Sequence, residues 1–206
     1  MSAQLFPDDV LFFQRLLRAE GLYLGDLDGD WGPLTEQAAA DFEAAAQAIL
    51  QQSRSFDGRS ESNITTLALK AQRAARKMLG RILDGGVNAR IISGSRTYAQ
   101  QDALFRNGRF GNPGPRVTNA RGGRSNHNFG IAWDIGVFTA SGGFVTAEPP
   151  YEDAAALALA EGESELEWGG HWTSFVDRPH YQLAIGVPLS ELRMGFEAGQ
   201  LESAFA

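Results

Sequence analysis

Residues 125–134 read Ser-Asn-His-Asn-Phe-Gly-Ile-Ala-Trp-Asp and combine a histidine, a glycine and a carboxylate with large apolar residues. Over residues 131–137, large apolar residues alternate with small or polar ones, which is the period of a half-buried strand. Asp134 shares its face of that strand with the small residues Ala132 and Gly136. The pattern therefore predicts a carboxylate with open space in front of it and an apolar core behind it.

His127 is a second polar residue of interest in this stretch. A seven-residue gap does not place His127 and Asp134 on one face of a single strand, so His127 is expected in a preceding turn that folds back at Gly130. A single histidine beside aromatic residues is more often a packed or capping residue than a ligand. The two residues are interpreted as half of a zinc site only if a third ligand exists elsewhere.

The third ligand has to come from one of the other two histidines, His171 and His180. Pro179 excludes a helix interior and favours extended geometry, so residues 180–185 are predicted to form a strand. Two histidines and one carboxylate leave a fourth tetrahedral position open, as in catalytic zinc sites. Asp177, three residues before His180, is then available as a base.

Three motifs follow one another along the chain: Ser125-x-His127-x-x-Gly130-x-Ala132-x-Asp134, then Trp168-Gly169-Gly170-x-Trp172, then Asp177-x-Pro179-His180. They resemble the zinc peptidoglycan peptidases. That family comprises D-Ala-D-Ala carboxypeptidases and dipeptidases of the vancomycin-resistance type, and L-alanyl-D-glutamate endopeptidases of phages and bacilli. The resemblance covers residues 56–187. His171 is a departure, because relatives more often carry Asp or Asn there, and it is expected near the site or at the surface.

The resemblance implies a zinc ion bound by His127, Asp134 and His180. It also implies that Asp177 is the general base, taking the proton of the attacking water and passing it to the leaving amine. Arg96, in the segment Ser-Gly-Ser-Arg after a predicted strand, is implied to oppose the developing oxyanion.

Residues 108–124 have no apolar periodicity and no acidic residue, but they carry Arg109, Arg116, Arg121 and Arg124. Segments of this length without regular structure are usually functional or disordered. The segment is interpreted as a lid whose cations meet the carboxylates of a peptidoglycan stem peptide, with a merely solvated loop as the alternative. Arg116 and Arg124, together with Ser125 and Trp168, are the candidate substrate-binding residues.

The predicted fold is α+β, a small antiparallel sheet flanked by helices with zinc at one edge, as in the Hedgehog and D-Ala-D-Ala peptidase folds that the resemblance implies. Helices are predicted over residues 7–21, 33–49, 62–83, 97–107 and 151–160, and strands over 87–93, 131–137 and 180–185, with residues 161–167 as an acidic connector. The predicted organisation is a helical module over residues 1–50, a peptidase domain over 56–187 and a tail over 188–206 that closes with a helix.

The boundary near residue 50 rests on charge. The whole chain has 25 acidic and 18 basic residues. Residues 1–50 carry nine of the acidic and two of the basic residues, so the rest of the chain carries 16 of each and is neutral. Several positions in the first segment resemble the small helical peptidoglycan-binding module found beside wall hydrolases: Gln14, Leu17, Gly21, Tyr23, Gly25, Asp28, Gly29, Gly32, Pro33, Thr35 and Phe42. The usual second half of that module is hard to see, and a helical hairpin that only covers the catalytic core is the alternative.

Composition restricts partners and compartment. The chain has no cysteine, so a metal must rest on His and Asp, and its net charge of -7 argues against nucleic acid. It has no membrane-spanning apolar run and no signal-peptide pattern at its N-terminus. We expect a monomer made in the cytoplasm that reaches the wall through a separate membrane pore or on a virion.

The expected reaction is metal-assisted hydrolysis of an amide bond in the stem peptide, most consistent with an L-Ala-D-Glu endopeptidase. A D-Ala-D-Ala carboxypeptidase is an alternative within the same family. A non-catalytic wall-binding protein that keeps zinc for structure is an alternative of another class. Asp177 weighs against the last reading, because a structural site has no use for a base.

Overall fold

A computed structural model describes residues 6–160 and 165–200. In this part of the chain the helices are α1 Pro7–Ala19, α2 Pro33–Gln51, α3 Gly58–Ile64, α4 Leu69–Asp84, α5 Tyr98–Arg106, α6 Pro149–Ala158 and α7 Leu189–Ala198. The strands are β1 Ala89–Ser93, β2 Ala132–Phe138, β3 Phe144–Val145, β4 Leu166–Trp168 and β5 His180–Leu183. Two 3₁₀ turns lie at Asn126–Phe129 and Gly169–His171. The predicted α+β class is confirmed.

The strands form one antiparallel sheet in the order β1-β2-β5-β4, with β3 paired to β2. Because side chains alternate along a strand, each strand presents one face to the core and one away from it. Trp133 on β2 lies opposite Tyr181 on β5, and both are fully buried. Asp134 and His180 form the next pair and lie on the other face. The sequence placed the site at one edge, whereas these residues lie on the two central strands.

The chain divides into two compact units, each built from separate stretches of sequence. The first unit comprises residues 1–45, 96–130 and 187–206. Its described core is aromatic: the ring of Phe12 on α1 lies 5.7 Å from that of Phe196 on α7 and 6.5 Å from that of Tyr98 on α5. Helix α1 is therefore part of the same packed unit as the segment that carries His127.

The second unit comprises residues 46–95 and 131–186 and contains the sheet with α3, α4 and α6. Helix α4 packs an apolar face against the sheet, and the indole Nε1 of Trp133 lies 3.4 Å from Sδ of Met78. Arg76 on this helix is 3% exposed and forms a two-pronged ion pair with Glu61 on α3. The pair compensates the cost of burying a guanidinium group.

The helix predicted over residues 62–83 is wrong, because the structure has α3 and α4 there. Asp57 caps α3 by accepting hydrogen bonds from the backbone N–H groups of Arg59 and Ser60, so this helix begins earlier. Ile64, the last residue of α3, and Leu67, in the connection before α4, are both fully buried. Their three-residue spacing continues the helical period across the break, which is why periodicity did not reveal it.

Two strands are absent from the sequence prediction, β3 and β4. β4 pairs with β5 in the segment predicted as an acidic connector, of which residues 161–164 lie outside the described part. Three residues are too few for alternation to be recognised, although Leu166 and Trp168 are buried on either side of Glu167.

The other predicted helices occur with small shifts at their ends, including the closing helix α7. Residues 201–206 of the predicted tail lie outside the described residues. The predicted boundaries at 50, 56 and 188 stay predictions, and α2 runs without a break to Gln51. None of the helices in the described residues has the length and apolar character needed to cross a membrane.

Candidate metal centre

His127 lies in the 3₁₀ turn Asn126–Phe129, which ends at Gly130 with a left-handed φ of +75°. The predicted fold-back at the glycine is thus present, and it needs glycine because other residues rarely adopt this conformation. His127 is 2% exposed, and its carbonyl accepts a hydrogen bond from the backbone N–H of Arg96 at 2.9 Å. Gly130 and the hydrogen bond from Arg96 therefore both stabilise the conformation of this turn.

Asn128, which the sequence interpretation gave no role, holds this turn in place. It is fully buried; its Oδ1 accepts from the Gly123 N–H at 3.0 Å, and its Nδ2 donates to the Arg96 carbonyl at 2.8 Å. One amide thus ties the arginine-rich loop, the segment after β1 and the His127 turn together. In the sequence, the position of Asn128 directly after His127 and two residues before Gly130 was the signal that could have found it.

Asp134 and His180 are direct cross-strand partners on β2 and β5, and Nδ1 of His180 lies 3.2 Å from Oδ1 of Asp134. Asp134 is half-buried and His180 is 5% exposed. With His127 they form a group whose possible ligand atoms all lie within 4.8 Å of one another. Two imidazoles and a carboxylate at this separation could hold a metal ion.

The charge of Asp134 also acts on His180. Burial on its own lowers the pKa of the imidazole, but the hydrogen bond and the negative charge of Asp134 outweigh it. Contacts with Gln182 and the charge of Asp177 act in the same direction, so the pKa of His180 is raised. His180 is therefore buried in a region of negative electrostatic potential, which favours a cation.

Asp177 lies in the loop between β4 and β5, outside the three-residue group. Its backbone N–H donates to the Gly169 carbonyl at 3.0 Å, and its own carbonyl accepts from the His180 N–H at 3.2 Å. A Cβ atom at Gly169 would lie 2.5 Å from the Asp177 carbonyl oxygen. The glycine therefore permits the close backbone approach that places Asp177 next to His180.

Arg96 follows β1, where the sequence placed it, and is half-buried. Its Nε donates to Oε1 of Gln101 at 2.9 Å, and Gln101 is itself fully buried on α5. Gln101 in turn donates to the Ala120 carbonyl at 2.9 Å, which joins Arg96 to the arginine-rich loop. The guanidinium is thus oriented by its neighbours, while its role toward an oxyanion stays a proposal.

The four loop arginines differ. Arg109 donates to the carbonyls of Phe105 and Thr118, and Arg109 and Arg121 both lie over the Phe105 ring, at 4.2 and 4.8 Å. These two cations pack the loop against α5. Arg116 and Arg124 are exposed, and the proposal that the loop meets carboxylates of the substrate rests on them.

The remaining candidate substrate residues are Ser125 and Trp168. Ser125 is half-buried at the start of the His127 turn, and its carbonyl accepts from the Asn128 N–H. Trp168 is 7% exposed, and its Nε1 donates to the Arg178 carbonyl at 2.8 Å. That bond anchors the loop that carries Asp177; a contact of Trp168 with substrate stays a prediction. His171 is exposed, lies edge-on to Trp168 and is outside the metal group.

The region that contains these residues is similar to known proteins. Residues 118–183 match a family described as D-alanyl-D-alanine carboxypeptidase, and the match includes His127, Asp134, Asp177 and His180. The matched stretch of the chain is thus similar to that family. The resemblance inferred from the three motifs is thereby confirmed.

Two relatives have more specific names. The chain is 32% identical over 107 residues to the peptidoglycan L-alanyl-D-glutamate endopeptidase of Bacillus subtilis, covering 48% of this chain and 62% of the relative. It is 34% identical over 128 residues to the L-alanyl-D-glutamate peptidase of a Listeria phage, covering 62% of this chain and 41% of the relative. The chain thus spans less than two thirds of the length of either relative.

A solved structure is similar as well. The crystal structure of the Serratia marcescens L-Ala D-Glu endopeptidase ChiX superposes with a TM-score of 0.50 and 26% identity. The match covers 66% of this chain and 95% of that one. It supports a similar fold for the part of this chain that the match covers.

Proposed function

We propose that this protein is a zinc-dependent peptidoglycan peptidase that hydrolyses the bond between L-Ala and D-Glu in the stem peptide. The observation that carries the proposal is the group of possible metal ligands formed by His127, Asp134 and His180. Asp177 is not a member of this group, but its charge acts on His180. Both relatives and the similar solved structure are named for cleavage at this bond. Its place of action would be the cell wall.

The donor set fits zinc. Imidazole nitrogens and a carboxylate oxygen suit this ion, and three protein ligands leave a position for water or substrate. The two histidines are almost fully buried, so the ring of His180 sits between hydrogen-bonding partners and not in bulk water. A bound zinc ion would supply Lewis-acid polarisation of the scissile carbonyl and a lowered pKa for the attacking water.

Asp177 would move the protons. Hydrolysis joins a water oxygen to the carbonyl carbon and breaks the carbon–nitrogen bond, and the nitrogen leaves as an amine. A carboxylate that accepts the water proton can return it to that nitrogen, which balances the step. The half-buried position of Asp177 beside His180 suits this role, and its charge already acts on the imidazole.

Arg96 and the exposed loop arginines would act on the substrate. The orientation of Arg96 by Gln101 suits a fixed cation that opposes negative charge developing on the carbonyl oxygen. Arg116 and Arg124 would meet carboxylates of the stem peptide. The wall polymer is the proposed further partner of residues 1–50.

The first alternative is a D-Ala-D-Ala carboxypeptidase, which the description of the matching family favours. The two reactions use the same chemistry at different bonds, so the site does not separate them. The names of the two relatives favour the endopeptidase. The second alternative, a zinc-containing binding protein without activity, has no use for a carboxylate placed beside the metal group.

Mass spectrometry of muropeptides digested with the purified protein tests the proposal. An endopeptidase releases the stem peptide that begins at D-Glu, whereas a carboxypeptidase shortens the stem by one D-Ala. Activity should disappear on chelation and return with zinc. A protein that binds zinc and leaves every muropeptide intact would establish the binding alternative instead.

A further inference from the structure

Two polar residues stand behind His180 on the side away from Asp134. Gln182 follows two residues later on β5, and Glu167 lies directly opposite Gln182 on β4. Oε1 of Gln182 lies 3.0 Å from Nε2 of His180, and Nε2 of Gln182 donates to Oε2 of Glu167 at 3.0 Å. The three side chains thus form a continuous row on one face of the sheet.

The carboxylate of Glu167 determines which atoms donate and which accept in these hydrogen bonds. An ionised carboxylate only accepts, so Gln182 must point its NH₂ group at Glu167. The amide oxygen then faces His180, and an amide oxygen only accepts. Nε2 of His180 must therefore carry a proton, whichever state the rest of the ring adopts.

The state of the other ring nitrogen, Nδ1, follows from the proton on Nε2. With the proton on Nε2, the neutral imidazole has its lone pair on Nδ1, which lies 3.2 Å from Oδ1 of Asp134. Two acceptors at this distance are stable only with a proton or a cation between them. The row thus prepares Nδ1 as the nitrogen that faces a cation.

Glu167 is itself held in place. The indole Nε1 of Trp172 donates to its Oε1, so its two oxygens have separate protein donors. The Trp172 ring also lies 4.9 Å from the His180 ring, measured between centroids. The ring of His180 is therefore restrained both at Nε2 and along its face.

We infer that Gln182 and Glu167 are positioning residues that fix the tautomer of His180, so that Nδ1 is its metal-binding nitrogen. The inference rests on the metal site of the proposed function. Groups that orient a ligating histidine in this way typically contribute about 10- to 100-fold to metal affinity. Their effect would reach the substrate only through His180.

The test compares Gln182→Leu and Glu167→Gln with the wild-type protein. Gln182→Leu removes the acceptor for Nε2–H, and zinc affinity measured by chelator competition should fall about 10- to 100-fold. Glu167→Gln keeps the shape of the side chain but no longer restricts the Gln182 amide to one orientation. We therefore expect a smaller loss of zinc affinity than in Gln182→Leu. Glu165→Gln, an exposed change two residues away, is the matched control and should leave the affinity unchanged.

Long-range proton–nitrogen NMR of ¹⁵N-histidine protein gives a readout that does not depend on activity. In the zinc-loaded wild type, His180 should carry its proton on Nε2 and bind through Nδ1, and zinc-free protein at alkaline pH should show the same tautomer. In Gln182→Leu the zinc-free protein should show both tautomers. Binding through Nε2, or a Gln182→Leu protein that loses only thermal stability, would overturn the inference.

The outcomes also separate this inference from the proposed function. A wild type that binds zinc through Nε2 and cleaves the stem peptide would sustain the function and end the positioning role. A wild type that shows the Nε2–H tautomer but neither binds zinc nor cleaves the stem peptide would end the proposed function. It would also end the assignment of Nδ1 as a metal-binding nitrogen, and only the orientation of the His180 ring by Gln182 would stand.

Discussion

Asp134 and His180 meet across two antiparallel strands although 46 residues separate them, with Oδ1 of Asp134 3.2 Å from Nδ1 of His180. The sheet register creates this relationship. A slip of one residue between β2 and β5 would turn one of the two side chains to the opposite face, where Trp133 and Tyr181 fill the core. The same packing that stabilises the sheet therefore places these two members of the candidate metal group together.

Removal of one member of the metal group should release the metal. His127→Ala and Asp134→Ala leave two protein ligands each, and we expect zinc content after dialysis to fall from about one per chain to near zero. His171→Ala is the matched histidine control and should keep its zinc, because His171 is exposed and outside the group. A His171 variant that lost zinc would show that the ligand set has been misassigned.

Asp177→Asn should distinguish the proposed base from the proposed metal ligands. The amide keeps the size of the side chain but cannot accept a proton at neutral pH, and a general base is typically worth about 10²- to 10⁴-fold in rate. The variant should fold, retain its zinc and lose at least about 10²-fold in turnover of soluble stem peptide. If it shed zinc while Asp134→Ala kept it, the roles of these two carboxylates would have to be exchanged.

Gly169→Ala should disturb Asp177 through the backbone. The added Cβ would lie 2.5 Å from the Asp177 carbonyl oxygen, which is too close, so the loop must shift. A displacement of about 1 Å at a catalytic group can cost about 10²-fold, and we expect a loss of this order in turnover with zinc retained. Gly80→Ala on α4 is the control, because nothing lies within 4 Å of its added Cβ, and its activity should be unchanged.

The half of the site near β2 could be predicted from sequence because its signals are local. Alternation defined the strand, and Gly130 marked the turn that returns His127 toward it. Pro179 similarly marked the start of the strand that begins at His180. In each case a single residue type has a strong backbone preference, so the neighbouring geometry follows without knowledge of the rest of the chain.

The support behind His180 could not be predicted, because it depends on pairing between distant segments. Alternation along the predicted strand 180–185 puts Gln182 on the same face as His180, but without β4 there was no reason to place Glu167 opposite Gln182. The break between α3 and α4 was missed for a related reason: Ile64 and Leu67 keep the helical period while the backbone changes direction. Periodicity records which residues are buried and does not record backbone continuity.

The Glu61–Arg76 ion pair should make stability depend on pH. Burial raises the pKa of Glu61, but hydrogen bonds from Arg76 and the Phe56 N–H and the charge of Arg76 outweigh it, so the pKa is lowered. A lowered folded-state pKa contributes stability that is present above the unfolded value of about 4.3 and is lost as pH falls through the folded value.

Glu61→Gln should therefore reduce the free energy of unfolding by about 1.5 to 3 kcal/mol near neutral pH. The difference from wild type should shrink in urea unfolding below about pH 4. The exposed pair Arg54 and Asp84 is the control, and Asp84→Asn should change stability by less than about 1 kcal/mol. If Glu61→Gln lost the same free energy of unfolding near neutral pH and at acidic pH, the pair would act through packing and not through charge.

Binding of the wall polymer by residues 1–50 needs a test that leaves the core intact. Deleting the segment would remove Phe12, which packs against Tyr98 and Phe196, so a lost activity would report only misfolding. Leu24 and Leu34 are large apolar residues in this segment that are 85% and 66% exposed. Their exposure leaves them available for contact with the polymer at little cost to folding.

We expect Leu24→Ser combined with Leu34→Ser to keep its melting temperature and its cleavage of soluble stem peptide. Its binding to intact sacculi in a pull-down should fall at least about tenfold, since burial of a leucine side chain contributes about 1.5 to 3 kcal/mol. Met194→Ser is the control: Met194 is an apolar residue on α7 whose exposure, 63%, is close to that of Leu34, and this variant should bind like wild type. Unchanged binding of the double variant would assign residues 1–50 to covering the core and not to recognising the wall.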